Sequence, residues 1–199
     1  MDNKNSAEKC TNCGLQVQAL DGVYFTENNK SRFLCSKCYN HEVSRINGFQ
    51  FEQITFQPLE IEDLDGEKHT FHFRTFVMGR KVFIHAMEIE NQDPSGYQFS
   101  VQGDKEESLL NLFAMLVSRL ERELSRKHIE FETGFYSSYK ITDEDIVRGY
   151  ITSYEEQACE GPCLVIDGKK ITWEELGRML QVYEGFHFKL EIFDKDTEK

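Results

Sequence analysis

The sequence predicts an α+β protein in which a small cysteine-rich module precedes an antiparallel sheet packed against helices. Two pairs of cysteines lie within the first 40 of its 199 residues. Residues 51–101 alternate apolar and polar side chains between turn signals, as the strands of an antiparallel meander do. Residues 109–124 instead repeat apolar side chains at helical spacing. We therefore expect a module over residues 1–50 and an acidic α+β domain over residues 51–199.

The cysteines form two C-x-x-C pairs, Cys10 with Cys13 and Cys35 with Cys38. Two thiolates on one tight turn can hold one edge of a Zn²⁺ tetrahedron, and a second such turn closes it. The spacing predicts one structural zinc ion with four thiolate ligands and no coordination position for water or substrate. His41 follows on a predicted helix, and we expect it at the surface or beside the site rather than on the metal.

The segment around the second pair has the features of a hairpin followed by a helix. Asp21-Gly22 is a turn dipeptide, residues 23–25 predict a strand, and Asn28-Asn29 predicts a second turn. Residues 39–46 have helical spacing. Two cysteine knuckles, a hairpin and a helix opening at the second knuckle resemble the treble-clef zinc finger, over about residues 8–47. The resemblance implies a fold and a zinc ion, but no particular function.

Two turns organise the predicted sheet. The turn at Gly79-Arg80 places one set of mostly apolar side chains on a shared face: Phe71, Phe73, Thr75, Val77, Val82, Ile84 and Ala86. For the turn near Gly66, a three-residue loop puts Leu59 and Ile61 on that same face, so we favour it over a two-residue loop. A further turn at residues 93–96 precedes a fourth strand over residues 97–101.

Asp104 is predicted to cap the clearest helix, with Glu107 completing a capping box. The helix carries one apolar stripe, which should lie across the apolar face of the sheet: Leu109, Phe113, Leu116, Leu120 and Leu124. A second helix is expected to begin at Thr142 and continue through Ile151, because acidic residues lie at its start and apolar residues follow at helical spacing.

The last part predicts a strand at residues 164–166, a turn at Asp167-Gly168, and a helix capped by Thr172 and Glu175. Gly185 should end this helix, and the alternation in residues 186–192 predicts a final strand. We expect three aromatic side chains to pack as core around the helix rather than to stack on bases: Trp173, Tyr183 and Phe186. The stretch from Ile171 to Phe186 resembles one found in uncharacterised bacterial proteins, a resemblance that implies no activity.

The charge is unevenly distributed. Residues 1–50 carry six basic and five acidic side chains, a net charge of +1. The whole chain has a net charge of −12, so residues 51–199 have a net charge of −13. Such an acidic surface repels phosphate backbones, which need clustered Lys and Arg. Nucleic acid binding is thus restricted to the finger, where four basic side chains would have to converge on one face: Lys30, Arg32, Lys37 and Arg45.

Two other groups of residues are candidate sites. Cys159 and Cys163 form a C-x₃-C pair that we interpret as two free thiols; a disulfide or an assisted metal site are the alternatives. His69 and His72 lie three apart on a predicted strand, so they face opposite sides and cannot share an ion. His85 meets Arg74 across the hairpin and shares a face with His72, a face that we interpret as half-exposed rather than catalytic.

The sequence favours a non-enzymatic protein-interaction role, adaptor or regulatory, with one structural Zn²⁺ and no catalytic residues. No phosphate-binding loop, nucleophile elbow or H-E-x-x-H helix is present. The alternatives are nucleic acid binding through the finger and an enzyme whose site lies around His72, Arg74 and His85. Because the first residues are polar and paired cysteines are typical metal ligands in a reducing compartment, we expect a cytoplasmic protein. The partner and the oligomeric state stay open.

Overall fold

The computed structural model describes residues 7–18, 21–27, 29–90, 93–133, 138–153 and 161–194. Within these ranges the chain is a mixed protein of antiparallel strands and three α-helices, which confirms the α+β class. Across the same ranges, no helix combines the length and the apolar character needed to cross a membrane.

The N-terminal module contains four short strands and one helix: β1 (Glu8–Lys9), β2 (Gln16–Val17), β3 (Gly22–Glu27), β4 (Lys30–Cys35) and α1 (Ser36–Ile46). β1 pairs with β2, and β3 pairs with β4, both antiparallel. α1 follows β4 directly, so the second cysteine pair lies where a strand becomes a helix. The predicted hairpin and helix are therefore present; Asn28 of the predicted turn lies outside the described residues.

The central sheet is a meander in the order β5-β6-β7-β8, with β5 (Leu59–Glu62), β6 (Lys68–Met78), β7 (Lys81–Glu90) and β8 (Asp93–Asp104). Met78 pairs with Lys81, so Gly79-Arg80 is the tip of the hairpin as predicted. The β5–β6 connection is also as predicted. Asp63 N–H donates to the Glu67 carbonyl at 2.9 Å, and Gly66 adopts φ +79° within the loop.

The fourth strand is longer than predicted, and the predicted turn at residues 93–96 was wrong. β8 begins at Asp93, and Pro94 pairs with Ile89 across the sheet. The ladder shifts register between Met87 and Ile89. Because of this irregularity, Gly96 can adopt φ +59° within the strand and does not end it.

The long helix α2 (Leu109–Leu124) covers the apolar face of the sheet, and its buried stripe is as follows: Leu109, Leu112, Leu116, Leu120 and Leu124. The predicted cap was wrong. Asp104 ends β8 and forms a turn in which Glu107 N–H donates to its carbonyl at 2.9 Å. The helix starts after Ser108, whose side chain makes no capping hydrogen bond.

The C-terminal part contains two small sheets and a short helix: β9 (Ile129–Glu132), β10 (Ser138–Ile141), β11 (Tyr150–Ser153), β12 (Pro162–Ile166), β13 (Lys169–Ile171) and α3 (Trp173–Leu180). Asp167 and Gly168 form the predicted two-residue turn, with φ +46° and +69°. Thr172 and Glu175 form the predicted capping box. A 3₁₀ turn then ends the helix before Gly185, at φ +89°.

The helix predicted from Thr142 to Ile151 was wrong. Thr142 and Asp145 form a turn, with Asp145 at φ +55°. Gly149 lies so close to the Val165 carbonyl oxygen that an added Cβ would be 2.2 Å away. Residues 150–153 pair with β12 instead. Backbone pairing with the distant strand β12 thus overrides the helical spacing of these residues, which is only a local signal.

The strand predicted over residues 186–192 was also wrong. In the described part of the chain these residues form no regular structure, and their apolar side chains are exposed. Two of the three aromatic side chains predicted as core are exposed as well, Trp173 at 49% and Phe186 at 71%. An alternating sequence forms a strand only where a sheet edge is available, and none of the described strands pairs with this segment.

The N-terminal module packs on the central sheet through a fully buried side chain, Asn40 of α1. Its amide nitrogen donates to the Thr75 carbonyl at 2.8 Å, and its amide oxygen accepts from Val77 N–H at 2.8 Å. These backbone groups belong to the part of β6 that extends beyond its pairing with β5. Asn40 therefore occupies hydrogen-bonding positions that a neighbouring strand would otherwise fill.

We predict that Asn40→Ala destabilises the folded protein by about 3 kcal/mol, because two buried backbone groups lose their partners at roughly 1–3 kcal/mol each. Urea unfolding followed by circular dichroism measures the change. His41→Ala, at the next position of α1 but exposed, is the matched control and should unfold like the wild type. An Asn40→Ala midpoint equal to that of the control would contradict this role.

Candidate metal centre

The first cysteine pair lies on a tight turn between β1 and β2. Cys10 N–H donates to the Leu15 carbonyl at 2.8 Å, and Gly14 N–H donates to the Cys10 carbonyl at 2.9 Å. Gly14 adopts φ +76°, a conformation that side-chain-bearing residues rarely accept. The turn directs the sulfurs of Cys10 and Cys13 to the same side.

The second pair lies at the start of α1. Cys35 is the N-cap residue with extended backbone, and Cys38 lies in the first helical turn. The N-terminal end of a helix carries a partial positive charge that favours thiolates, but burial of Cys35 and Cys38 acts in the opposite direction. Thr11 joins the two turns, since its backbone N–H and its hydroxyl both donate to the Phe33 carbonyl, at 2.9 and 3.0 Å.

The four sulfur atoms of Cys10, Cys13, Cys35 and Cys38 all lie within 4.8 Å of one another. The Cys13 and Cys35 sulfurs are 3.8 Å apart. Zinc–sulfur bonds of about 2.3 Å in a tetrahedron require sulfurs separated by about 3.8 Å, so the spacing fits one shared ion. Cys10, Cys35 and Cys38 are buried, whereas Cys13 is exposed. The four cysteines are positioned to hold a metal ion.

The thiols have unequal acidities. Burial and hydrogen bonding to the neighbouring thiols raise the pKa of Cys38 to about 12, and burial raises that of Cys35. Burial also disfavours the Cys10 thiolate, but hydrogen bonds from the backbone N–H groups of Cys13 and Cys35 outweigh it and lower the pKa to about 6. Four thiolates so close together repel one another, and a bound cation offsets that repulsion.

The other predicted cysteine and histidine positions lie outside this cluster. His41 is exposed on α1. Cys163 is a buried free thiol on β12, and Cys159 lies outside the described residues, so the interpretation of the two as free thiols stays a prediction. His69 and His72 lie on opposite faces of β6, His69 buried and His72 exposed.

The face around His72 and Arg74 contributes to a cleft of about 310 Å³ between the module and the sheet, and His85 is not among the lining residues. Arg74 donates to the Gly22 carbonyl at 2.9 Å and to the Ser36 hydroxyl at 3.1 Å. Burial lowers the pKa of its guanidinium. These contacts make Arg74 a second attachment between the module and the sheet.

Two basic side chains of the module, Arg32 and Arg45, are paired with acids. Arg32 lies 3.2 Å from a carboxylate oxygen of Glu42 and 3.6 Å from one of Glu27. Arg45 contacts the same Glu42 oxygen at 3.1 Å. Hydrogen bonds from Arg45 and Arg32 hold the pKa of the Glu42 carboxyl below its usual range. Arg32 and Arg45 therefore converge, but on a carboxylate that neutralises part of their charge.

Sequence reasoning missed one group of titratable residues, in which Asp63 and Glu67 lie beside His69 at the β5–β6 turn. The signal was available, because the correctly predicted three-residue loop brings both ends of the turn together. The short sequence separation of His69 and His72 instead suggests those two as a pair of ligands, and it gives no indication of the acids across the turn.

Three family models match successive parts of the chain, and each is a domain of unknown function: DUF7685 over residues 9–50, DUF7686 over residues 52–125 and DUF7713 over residues 128–197. The first match contains all four clustered cysteines. No curated protein and no solved structure matches the chain. The division into residues 1–50 and 51–199 stays a prediction.

We predict that Cys35→Ser lowers the thiolate-to-metal charge-transfer absorption of the cobalt-loaded protein by about a quarter or more, because one of four thiolate ligands is lost. Titration of the reduced, metal-free protein with Co²⁺ measures the band. Cys163→Ser is the matched control, a buried thiol outside the cluster, and should keep the full intensity. Equal spectra for the two variants would contradict the assignment of the four sulfurs as ligands.

Proposed function

We propose that this chain is a zinc-binding, non-enzymatic interaction protein, in which one structural Zn²⁺ holds a treble-clef-like finger and the acidic domain meets a protein partner. The finger corresponds to residues 1–50. The observation that carries the proposal is the exposed apolar segment of residues 186–192. The closed metal centre supports it, because four cysteine ligands leave no open coordination position.

The metal centre supports a structural role. Four cysteine sulfurs within 4.8 Å of one another can complete a tetrahedron around one ion, which leaves no coordination position for water or substrate. Soft thiolates in tetrahedral geometry favour zinc over harder cations such as Mg²⁺. The hairpin, the strand-to-helix transition at Cys35 and the knuckle at Cys10 are features that a treble-clef finger shares.

The C-terminal segment supports a docking role. It exposes large apolar side chains at alternating positions: Phe186 (71%), Phe188 (89%), Leu190 (70%) and Ile192 (74%). Val182, just before it, is exposed at 79%. Contiguous exposed apolar side chains are characteristic of protein interaction sites. The alternation is the pattern of a strand without a partner, so pairing with a sheet edge of another protein would bury it.

Nucleic acid binding through the finger is the weaker alternative. It requires free cationic side chains, yet Arg32 and Arg45 share Glu42 and Arg32 also faces Glu27. A phosphate would have to displace these carboxylates. Direct titration of the protein with single-stranded RNA and duplex DNA at low salt discriminates, because phosphate-dominated binding is strongest there.

An enzyme site around His72, Arg74 and His85 is the other alternative. The cleft beside His72 favours it, but the Arg74 guanidinium is committed to the Gly22 carbonyl and the Ser36 hydroxyl. A side chain held in this way fixes the finger on the sheet. Metal-dependent turnover of a substrate by the purified protein would replace the interaction proposal with this one.

We predict that the double substitution Phe188→Ser and Leu190→Ser lowers at least tenfold the amount of any partner retained by the immobilised protein from its native host, because the apolar contact area is lost. Quantitative mass spectrometry of the retained proteins measures the change. Leu110→Ser, an exposed apolar position of α2 at 60%, is the matched control. Identical retained proteins for the wild type and the double variant would contradict the proposal.

A further inference from the structure

A second group of metal-ligating side chains lies at the β5–β6 turn, on β6 and the loop before it. One ligand atom from each of Asp63, Glu67 and His69 lies within 4.8 Å of the other two. The turn is held in place from outside, because Leu64 N–H donates to the carbonyl of Leu124, the last residue of α2. None of these residues belongs to the four-cysteine cluster.

The imidazole of His69 is oriented by a carboxylate. His69 Nδ1 lies 2.6 Å from Oε1 of Glu88, and the other oxygen of Glu88 accepts from Tyr97 N–H at 2.8 Å. An ionised carboxylate only accepts, so Nδ1 carries the proton and, in the neutral ring, Nε2 presents its lone pair. A histidine whose second nitrogen donates to a carboxylate is the usual arrangement of a metal ligand.

His69 Nε2 points into the group without a hydrogen-bond partner among the described residues. His69 is only 6% exposed. The nearest ionic group is Oδ2 of Asp63, at 3.7 Å. A lone pair and a carboxylate oxygen that face each other across this distance cannot bond each other, since both are acceptors, and a proton or a cation between them satisfies both.

Asp63 is held rigidly in the orientation that a ligand needs. Its Oδ1 accepts from Asp65 N–H at 2.9 Å and from Glu67 N–H at 2.8 Å, which leaves Oδ2 directed at His69. Two ligands about 2.1 Å from one tetrahedral ion lie about 3.4 Å apart, so 3.7 Å needs only a small adjustment. Glu67 is exposed and can bring its carboxylate to the same ion.

The charge around the turn favours a cation. Lys127 contacts the carboxylate of Asp65 and lies 4.0 Å from Oδ2 of Asp63. Lys127 thus neutralises part of the charge of Asp63 and Asp65, whereas two more carboxylates, Glu67 and Glu88, lie beside His69. The excess of negative charge remains after this ion pair, and a divalent ion would offset it.

We propose that Asp63, Glu67 and His69 form a second metal site, separate from the four cysteines, for a divalent first-row transition ion such as Zn²⁺. Imidazole and carboxylate ligands suit such ions. Glu88 is the positioning residue that holds His69. Three protein ligands leave a coordination position for water or a partner's side chain, so this site, unlike the thiolate centre, is open.

The competing occupant is a proton. His69 can be protonated and bridge Glu88 and Asp63 as an imidazolium, and the hydrogen bond that its Nδ1 donates to Glu88 raises the pKa of His69 in that direction. A bridging imidazolium needs no third ligand, whereas a metal ion does. Glu67 therefore discriminates between the two occupants, and its exposed position allows substitution without disturbing the core.

The test is calorimetric titration with Zn²⁺ of reduced protein that already carries one equivalent of zinc on its thiolates. The expected result is one further ion per chain, bound at least tenfold more weakly by Glu67→Gln and not at all by His69→Gln. His72→Ala, an exposed histidine three residues further along the same strand, should bind like the wild type. Circular dichroism verifies that each variant is folded.

Absence of a second binding event in the wild type would overturn the proposal and leave the bridging proton as the occupant. Equal affinity in the wild type and in Glu67→Gln would overturn it as well, because the bound ion would then lie elsewhere. Both outcomes leave the interaction role untouched, since neither concerns the four cysteines or the C-terminal segment.

Discussion

The constraint on which the N-terminal module depends is that four sulfur atoms must lie around one point. The buried cluster of this module consists of Cys10, Leu34, Cys35 and Cys38, with few large apolar side chains packed against it. A segment of about 40 residues seldom buries enough apolar surface to fold alone. Because three of the four buried members are the cysteines themselves, a metal ion shared by their sulfurs would supply stability that the small core does not.

The N-terminal module in turn supplies hydrogen bonds to the part of the central sheet that β5 leaves unpaired. Asn40 satisfies backbone groups of β6 beyond the end of β5, and Arg74 reaches from β6 to the finger's Gly22 carbonyl and Ser36 hydroxyl. Both attachments begin next to the cysteines, since Ser36 follows Cys35 and Asn40 lies two residues after Cys38. An open strand edge invites pairing with other chains. The helix that begins at the second cysteine pair therefore covers part of that edge.

The sequence was most informative where local geometry alone decides the structure. The cysteine spacing located the cluster, Gly79-Arg80 set the main hairpin, and Thr172 with Glu175 capped α3. Each signal acts within a few residues, and each was confirmed.

The errors arose where distant partners decide. Residues 150–153 have helical spacing but pair with β12, and residues 186–192 alternate like a strand but pair with none of the described strands. The group around His69 needed the hairpin register and the remote carboxylate of Glu88, neither of which sequence neighbours reveal. The binding partner of an exposed surface is another molecule, so the sequence of this chain alone does not identify it.

X-ray absorption at the zinc edge tests the central claim most directly, on reduced protein carrying a single equivalent of zinc. Four thiolate ligands predict a first shell of four sulfur atoms at about 2.3 Å, with no nitrogen or oxygen neighbour at bonding distance. A first shell dominated by nitrogen and oxygen would contradict the four-cysteine centre, as would protein that retains no zinc.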